Sequence, residues 1–186
     1  MAASGQLPAF PARSSNDPLA FATCSSRPAI MEDVAFLRRL YRSFRADELA
    51  PVPWPPEDKQ AFLDEQFNLQ HRYYIAAFPL TDFLIIEKEG ASIGRLYIDR
   101  SAETWHIIDI GLMPEWRNRG IGQSILIGIK AAAPVAGDTP QIMLHVDKVN
   151  AAAHKLYRAS GFEVTGESGT HLRMQWSSGH VARNCQ

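Results

Sequence analysis

The residues best placed to do chemistry lie in the run Ile110-Gly111-Leu112-Met113-Pro114-Glu115-Trp116-Arg117-Asn118-Arg119-Gly120-Ile121-Gly122. It reads as the end of a strand, a short basic loop and a helix that starts at glycines. The first turn of a helix has unpaired amides and a partial positive charge, which suits a phosphate or pyrophosphate. Glycine matters there because a Cβ would hold the ligand off the backbone, and Arg117 and Arg119 add charge. Two other phosphate loops are excluded. A Walker loop needs Gly-Lys-Ser/Thr, whereas Gly122 is followed by Gln123-Ser124. A dinucleotide fingerprint needs a small residue at 125, which is Ile125. Alone, the two glycines fit a structural turn as well as a phosphate cradle.

A second run, Asn150-Ala151-Ala152-Ala153-His154-Lys155-Leu156-Tyr157-Arg158-Ala159-Ser160-Gly161-Phe162, reads as a helix with its caps. Asn150 is a suitable N-cap and Gly161 stands where a helix closes in a left-handed residue. Tyr157, beside Leu156, would be core in an ordinary amphipathic helix.

Arg-x-x-Gly-x-Gly at 117–122, then Asn-x-x-Ala-x-x-Leu-Tyr-x-x-x-Gly-Phe at 150–162, together resemble the GNAT superfamily of acyl-CoA-dependent N-acetyltransferases. The resemblance covers roughly residues 23–176, and its motifs occupy 109–162. It implies acetyl-CoA as acyl donor, no metal, and transfer of acetyl to a primary amine of a small molecule or peptide by direct attack. By the same resemblance the amides of Arg117, Asn118, Arg119, Gly120, Ile121 and Gly122 hold the coenzyme pyrophosphate, with Gln123 or Ser124 assisting. Leu112 and Met113, at a splayed strand end, would bind the pantetheine arm. Asn150 would touch the same arm, and Tyr157 would protonate the departing thiolate. Asn118 stands where many members have glycine. The residues leave open a second reading, a non-catalytic acyl-CoA-binding sensor or interaction module on the same fold.

An ammonium has no lone pair, and aliphatic amines have a pKa near about 10.4, so attack at neutral pH needs a base. His145 is the first candidate, alternating with Leu144 and Val146 on a strand beside the cofactor cleft. Its bland reading is a satisfied structural histidine. Asp109 competes: it interrupts Ile107, Ile108 and Ile110, where a carboxylate is costly unless paired or useful. It could equally pair with Arg95 or orient His145. Glu103 and His106 are weaker candidates. The acceptor pocket is expected from Arg45 through Trp54, where Asp47 and Glu48 lie, and from Gln70-His71-Arg72-Tyr73-Tyr74.

These residues need elements to position them. Val34, Leu37, Leu40, Tyr41 and Phe44 recur at three and four, the period of an amphipathic helix. The prolines of 51–56 end it, and a second helix follows with Phe62, Phe67, Leu63 and Tyr74 facing inward. Phe21–Cys24 is a first strand. Phe83–Lys88, Ser92–Asp99 and Trp105–Leu112 form an antiparallel meander, with Glu89-Gly90 as one turn. Helices over 120–133 and 150–160 alternate with strands at 141–146, 162–166 and 171–176. The order β-α-α-β-β-β-α-β-α-β-β gives an α/β (α+β) fold: a mixed, mostly antiparallel central sheet flanked by helices, as in GNAT proteins. Residues 1–20 read as a disordered tail, 21–176 as the N-acetyltransferase domain and 177–186 as a flexible C-terminal tail.

The chain has 186 residues, net charge −1 and 46% hydrophobic residues, the size of one domain with an ample core. Near-neutral charge disfavours nucleic acid or an anionic membrane as partner. No run of about 18 apolar residues spans a membrane. The first residues lack the basic start and apolar run of a secretory signal. Cys24 and Cys185 are the only cysteines and have no metal-ligand neighbours. The expectation is a cytoplasmic protein with reduced thiols. Homodimerisation is common in such folds, so a homodimer stands beside a monomer as an expectation.

Overall fold

The computed structural model describes residues 6–12, 17–134 and 141–178. Along the chain run β1 (Ser25–Pro28), α1 (Val34–Arg45), α2 (Pro56–Ala77), β2 (Thr81–Lys88), β3 (Ala91–Asp99) and β4 (Trp105–Leu112). Then follow α3 (Ile121–Ala132), β5 (Ile142–Asp147), α4 (Ala151–Ala159), β6 (Glu163–Ser168) and β7 (His171–Trp176). This is the expected order of elements. The seven strands form one sheet, β1-β2-β3-β4-β5-β7-β6, antiparallel except where β4 meets β5.

Both faces of the sheet centre are covered, so β2 has no polar alternation to show. Phe83 and Ile85 face a core closed by α1 and α2, whereas Leu84 and Ile86 face the core under α3. Successive strand residues point to opposite faces, and here each face has its own helices. In α1 the buried Val34, Leu37, Leu40 and Tyr41 keep the expected period. Pro56 opens α2, where its missing amide is harmless.

Three local expectations shift. Phe21–Cys24 forms no strand: both residues pack on the core by their side chains, and the neighbouring Ser25–Pro28 pairs with β2 through its backbone. In α2 the inward line is Leu63, Phe67 and His71, at intervals of four, while Phe62 is 40% exposed. Part of the segment read as a tail is packed: Leu19 is buried, Leu7 and Phe10 lie on the second core, and Pro8 accepts a hydrogen bond from His71. Short apolar residues separated by prolines have no period, so nothing local marks them as packed. At the other end Ser178 pairs with the Gln141 side chain, and residues 179–186, with Cys185, lie outside the described residues.

Candidate active site

Strands β4 and β5 pair over only three residues, from Trp105↔Ile142 to Ile107↔Leu144. Beyond Ile107, β4 stays on β3 and β5 stays on β7. A bulge at Tyr97/Ile98 sits at the level where the pairing stops, and a bulge adds local twist. The gap is a cavity of about 210 Å³ whose walls include Asp109, Ile110, His145, Asn150 and Tyr157.

The far end of β4 leads into the basic loop. Met113 donates its amide to Ile93 and its carbonyl accepts from Trp116, so both its backbone groups are engaged. Alternation along the strand turns the groups of Leu112 the other way, and its carbonyl accepts Nε of Arg117 at 2.9 Å. Asn118 and Gly120 are left-handed, with φ of 58° and 75°. Asparagine is among the few side chains that tolerate this region, which explains how it stands in for glycine. The first helical bond of α3 runs from Ser124 N to Gly120 O, leaving the amides of Ile121, Gly122 and Gln123 without helical acceptors. The space over Gly120 is open. These free amides, the dipole of α3 and the nearby Arg117 and Arg119 fit a pyrophosphate. Gly122 has a second reason to be small: a Cβ there would come 3.1 Å from Leu156 of α4.

Acid–base groups converge on the cavity. Tyr157 is 7% exposed; burial first, and then the charge of Asp109, raise its phenol above the ordinary 10.0. His145 lies on the open side of β5, its ring 5.5 Å from that of His106. The cleft still withdraws water from the imidazole, and this, with His171 and Arg173, lowers its pKa below 6.5. The imidazole is therefore neutral at pH 7. Asp109 accepts Nη2 of Arg95 at 2.6 Å and the Tyr74 hydroxyl at 3.2 Å, both on Oδ2. Asn150 caps α4 by accepting the Ala153 amide at 3.0 Å.

The model of the acetyltransferase (GNAT) family matches residues 37–162. The chain belongs to that family. Mycothiol acetyltransferase of Mycolicibacterium smegmatis is 36% identical over 76 residues, which are 40% of this chain and 22% of that protein. The chain thus spans under a quarter of the curated relative it matches. The fold is that of PaiA N-acetyltransferase from Thermoplasma acidophilum in complex with coenzyme A, with TM-score 0.59 and 20% identity over 83% of this chain and 99% of that one. An acetyltransferase from Thermus thermophilus gives TM-score 0.61 and 17% identity, covering 84% and 97%. RimL, a ribosomal L7/L12 alpha-N-protein acetyltransferase in complex with coenzyme A, gives 0.58 and 17%, covering 85% and 94%.

In this GNAT chain the structure brings Tyr157, His145, Asp109 and Asn150 to one cavity and leaves the loop from Arg117 to Gln123 at the start of α3. Other candidates lie elsewhere. Glu103 is on the exposed turn before β4, Glu48 pairs with Arg45 on the surface, and Trp54 packs edge-on against Phe62. Asp147 and His171 also line the cavity, and the sequence reading does not single them out. Asp147 was within reach, being two residues beyond His145 on the same strand face. His171 was not, since its position depends on the nonlocal pairing Asp147↔His171. Among the described residues no helix is long and apolar enough to cross a membrane, and no His/Cys/Asp/Glu group is arranged to hold a metal.

Proposed function

We propose that the protein is an N-acetyltransferase that moves an acetyl group from acetyl-CoA to a primary amine of a small molecule or peptide by direct attack. The observation that carries this reading is that Tyr157 and His145 line one cavity where β4 and β5 part, while the β4 strand runs on into the loop that opens α3 with free amides. Acetyl-CoA supplies an activated acetyl thioester. The amides of Ile121, Gly122 and Gln123 hold its pyrophosphate, with Arg117 and Arg119 supplying charge. The Leu112 amide, turned to the open side of β4, is the donor for the acetyl oxygen. His145 takes the proton of the acceptor amine at its neutral imidazole. Tyr157, whose raised pKa keeps its proton in place, delivers that proton to the leaving sulfur. An amine acceptor agrees with the names of PaiA N-acetyltransferase and the RimL alpha-N-protein acetyltransferase, and a cytoplasmic setting would keep the Cys24 thiol reduced.

Calorimetric titration of acetyl-CoA into wild type and Gly120→Glu tests the binding half. Micromolar affinity is expected for wild type and its loss in the variant, because a carboxylate would stand over the free amides. Thiol release from acetyl-CoA with a panel of primary amines tests the transfer half. Binding without thiol release would favour the acyl-CoA sensor; no binding by folded wild type would remove both.

A further inference from the structure

Asp109 is held from one side only. Its support is Arg95 of β3, whose side chain is 2% exposed and whose guanidinium lies between the rings of Phe44 and Tyr97 at 5.7 and 5.2 Å. Nη2 of Arg95 donates to Oδ2 of Asp109 at 2.6 Å and to Oε1 of Gln70 at 3.1 Å. The Tyr74 hydroxyl reaches the same Oδ2 at 3.2 Å. A guanidinium can grip both oxygens of a carboxylate. Here it does not: Nε of Arg95 is buried without a partner.

Oδ1 therefore has no protein partner among the described residues, and the Asp109 side chain, 16% exposed, lines the cavity. A carboxylate oxygen only accepts hydrogen bonds, so a half-buried free one calls for a donor. The remaining charge of the cavity wall points the same way. Asp147 adds a second carboxylate, and the imidazole of His145 is neutral at pH 7.

We propose that Oδ1 of Asp109 is the recognition point for the acceptor's ammonium group, so that the acceptor is a cationic primary amine. Gln70, Tyr74 and Arg95 are positioning residues that fix the carboxylate and turn its free oxygen to the cavity. This rests on the acetyltransferase reading, and it makes Asp109 a substrate-binding anion rather than the base.

The test uses benzylammonium and its neutral counterpart benzyl alcohol, titrated by NMR into the full chain at pH 7, with acetyl-CoA binding measured in parallel. Wild type is expected to prefer benzylammonium by tenfold or more, on the order of 1.4 kcal/mol. In Asp109→Asn the ratio should collapse to about one, with acetyl-CoA affinity unchanged. Should that variant fail to fold because Arg95 loses its counter-charge, the double variant Arg95→Met/Asp109→Asn removes both charges together and should also show no preference. Tyr74→Phe keeps the ion pair but loosens the carboxylate, and should lower the preference several-fold without changing acetyl-CoA affinity. Equal binding of the two probes to wild type, no saturable benzylammonium binding, or a preference that survives loss of Asp109 would overturn the proposal. Failure of acetyl-CoA to bind wild type would instead remove the acetyltransferase reading, a separate result.

Discussion

Gly111 lies so close under the ring of Phe44 that a Cβ on it would enter the ring. The contact joins α1 to the far end of β4. The same ring carries the guanidinium of Arg95 at 5.7 Å and that of Arg117 at 5.3 Å. Phe44 thus connects the support of Asp109 with the loop that precedes α3.

Gly111→Ala should destabilise the fold by about 1–3 kcal/mol, because the ring has to move and it is held on two sides. Gly120→Ala should cost about 1–2 kcal/mol for a different reason: its surroundings are open, but its φ is 75°. Urea unfolding separates the two causes. Replacing Phe44 by Leu should recover much of the loss at Gly111 and none of it at Gly120. Equal recovery at both positions would show that the Phe44 contact is not the source.

Tyr157→Phe should lower kcat about 10²- to 10⁴-fold if the phenol is the general acid. Acetyl-CoA affinity, read by calorimetry, should be unchanged, since the loop amides are untouched. Burial and the Asp109 charge hold the phenol above 10.0, so the wild-type rate should not fall on the alkaline side below that pH. A falling limb near pH 8 would assign the acid to another group.

If His145 is the base, it should give the opposite limb. A base works deprotonated, so activity should rise with pH through the imidazole pKa, which lies below 6.5. The rate should therefore be level by neutral pH. His145→Ala should remove the limb and lower the rate. Arg173→Ala and His171→Gln should move it upward, because both neighbours disfavour the imidazolium. An acid limb that stays put in all three variants would exclude His145 as the base.

Most of this arrangement can be read along the chain because its signals are local. The loop at 117–122 and the cap-to-cap run 150–162 carry their own turn and helix chemistry, and β2–β4 are joined by short turns that fix the register. What cannot be read depends on nonlocal pairing. Asp109 interrupts an apolar strand, which marks it as needing a partner, and Arg95 is legible as one; Gln70 and Tyr74 join the pair only when α2 crosses the sheet. Met113 is a strand-end residue by pattern, and only the fold reveals that Ile93 and Trp116 have taken its backbone groups. Phe62 and Leu63 are adjacent apolar residues on one helix, and packing alone decides which of them is buried.

His71 supplies a pH dependence of stability distinct from that of catalysis. It is 3% exposed, stacks on Phe67 at 5.9 Å, and meets Phe10 edge-on at 4.9 Å. Its Nε2 lies 2.8 Å from the Pro8 carbonyl, which only accepts, so Nε2 carries the proton. Burial lowers its pKa below 6.5; the bond to Pro8 opposes this, while Arg72, Arg95 and Arg38 reinforce it. The sign follows from linkage. Above the unfolded value neither state binds the extra proton, and the stability is fully present. As pH falls from about 6.5 toward the lower folded value, the unfolded chain takes up a proton that the folded one resists, and stability drops. Below the folded value the loss levels off. Urea unfolding at a series of pH values should show this drop in wild type and a shallower one in His71→Gln, which keeps a donor for Pro8 but does not titrate. Parallel curves for the two proteins between pH 7 and 5 would mean that the group responsible lies elsewhere, with His106 the next to replace, since burial and His145 lower its pKa as well.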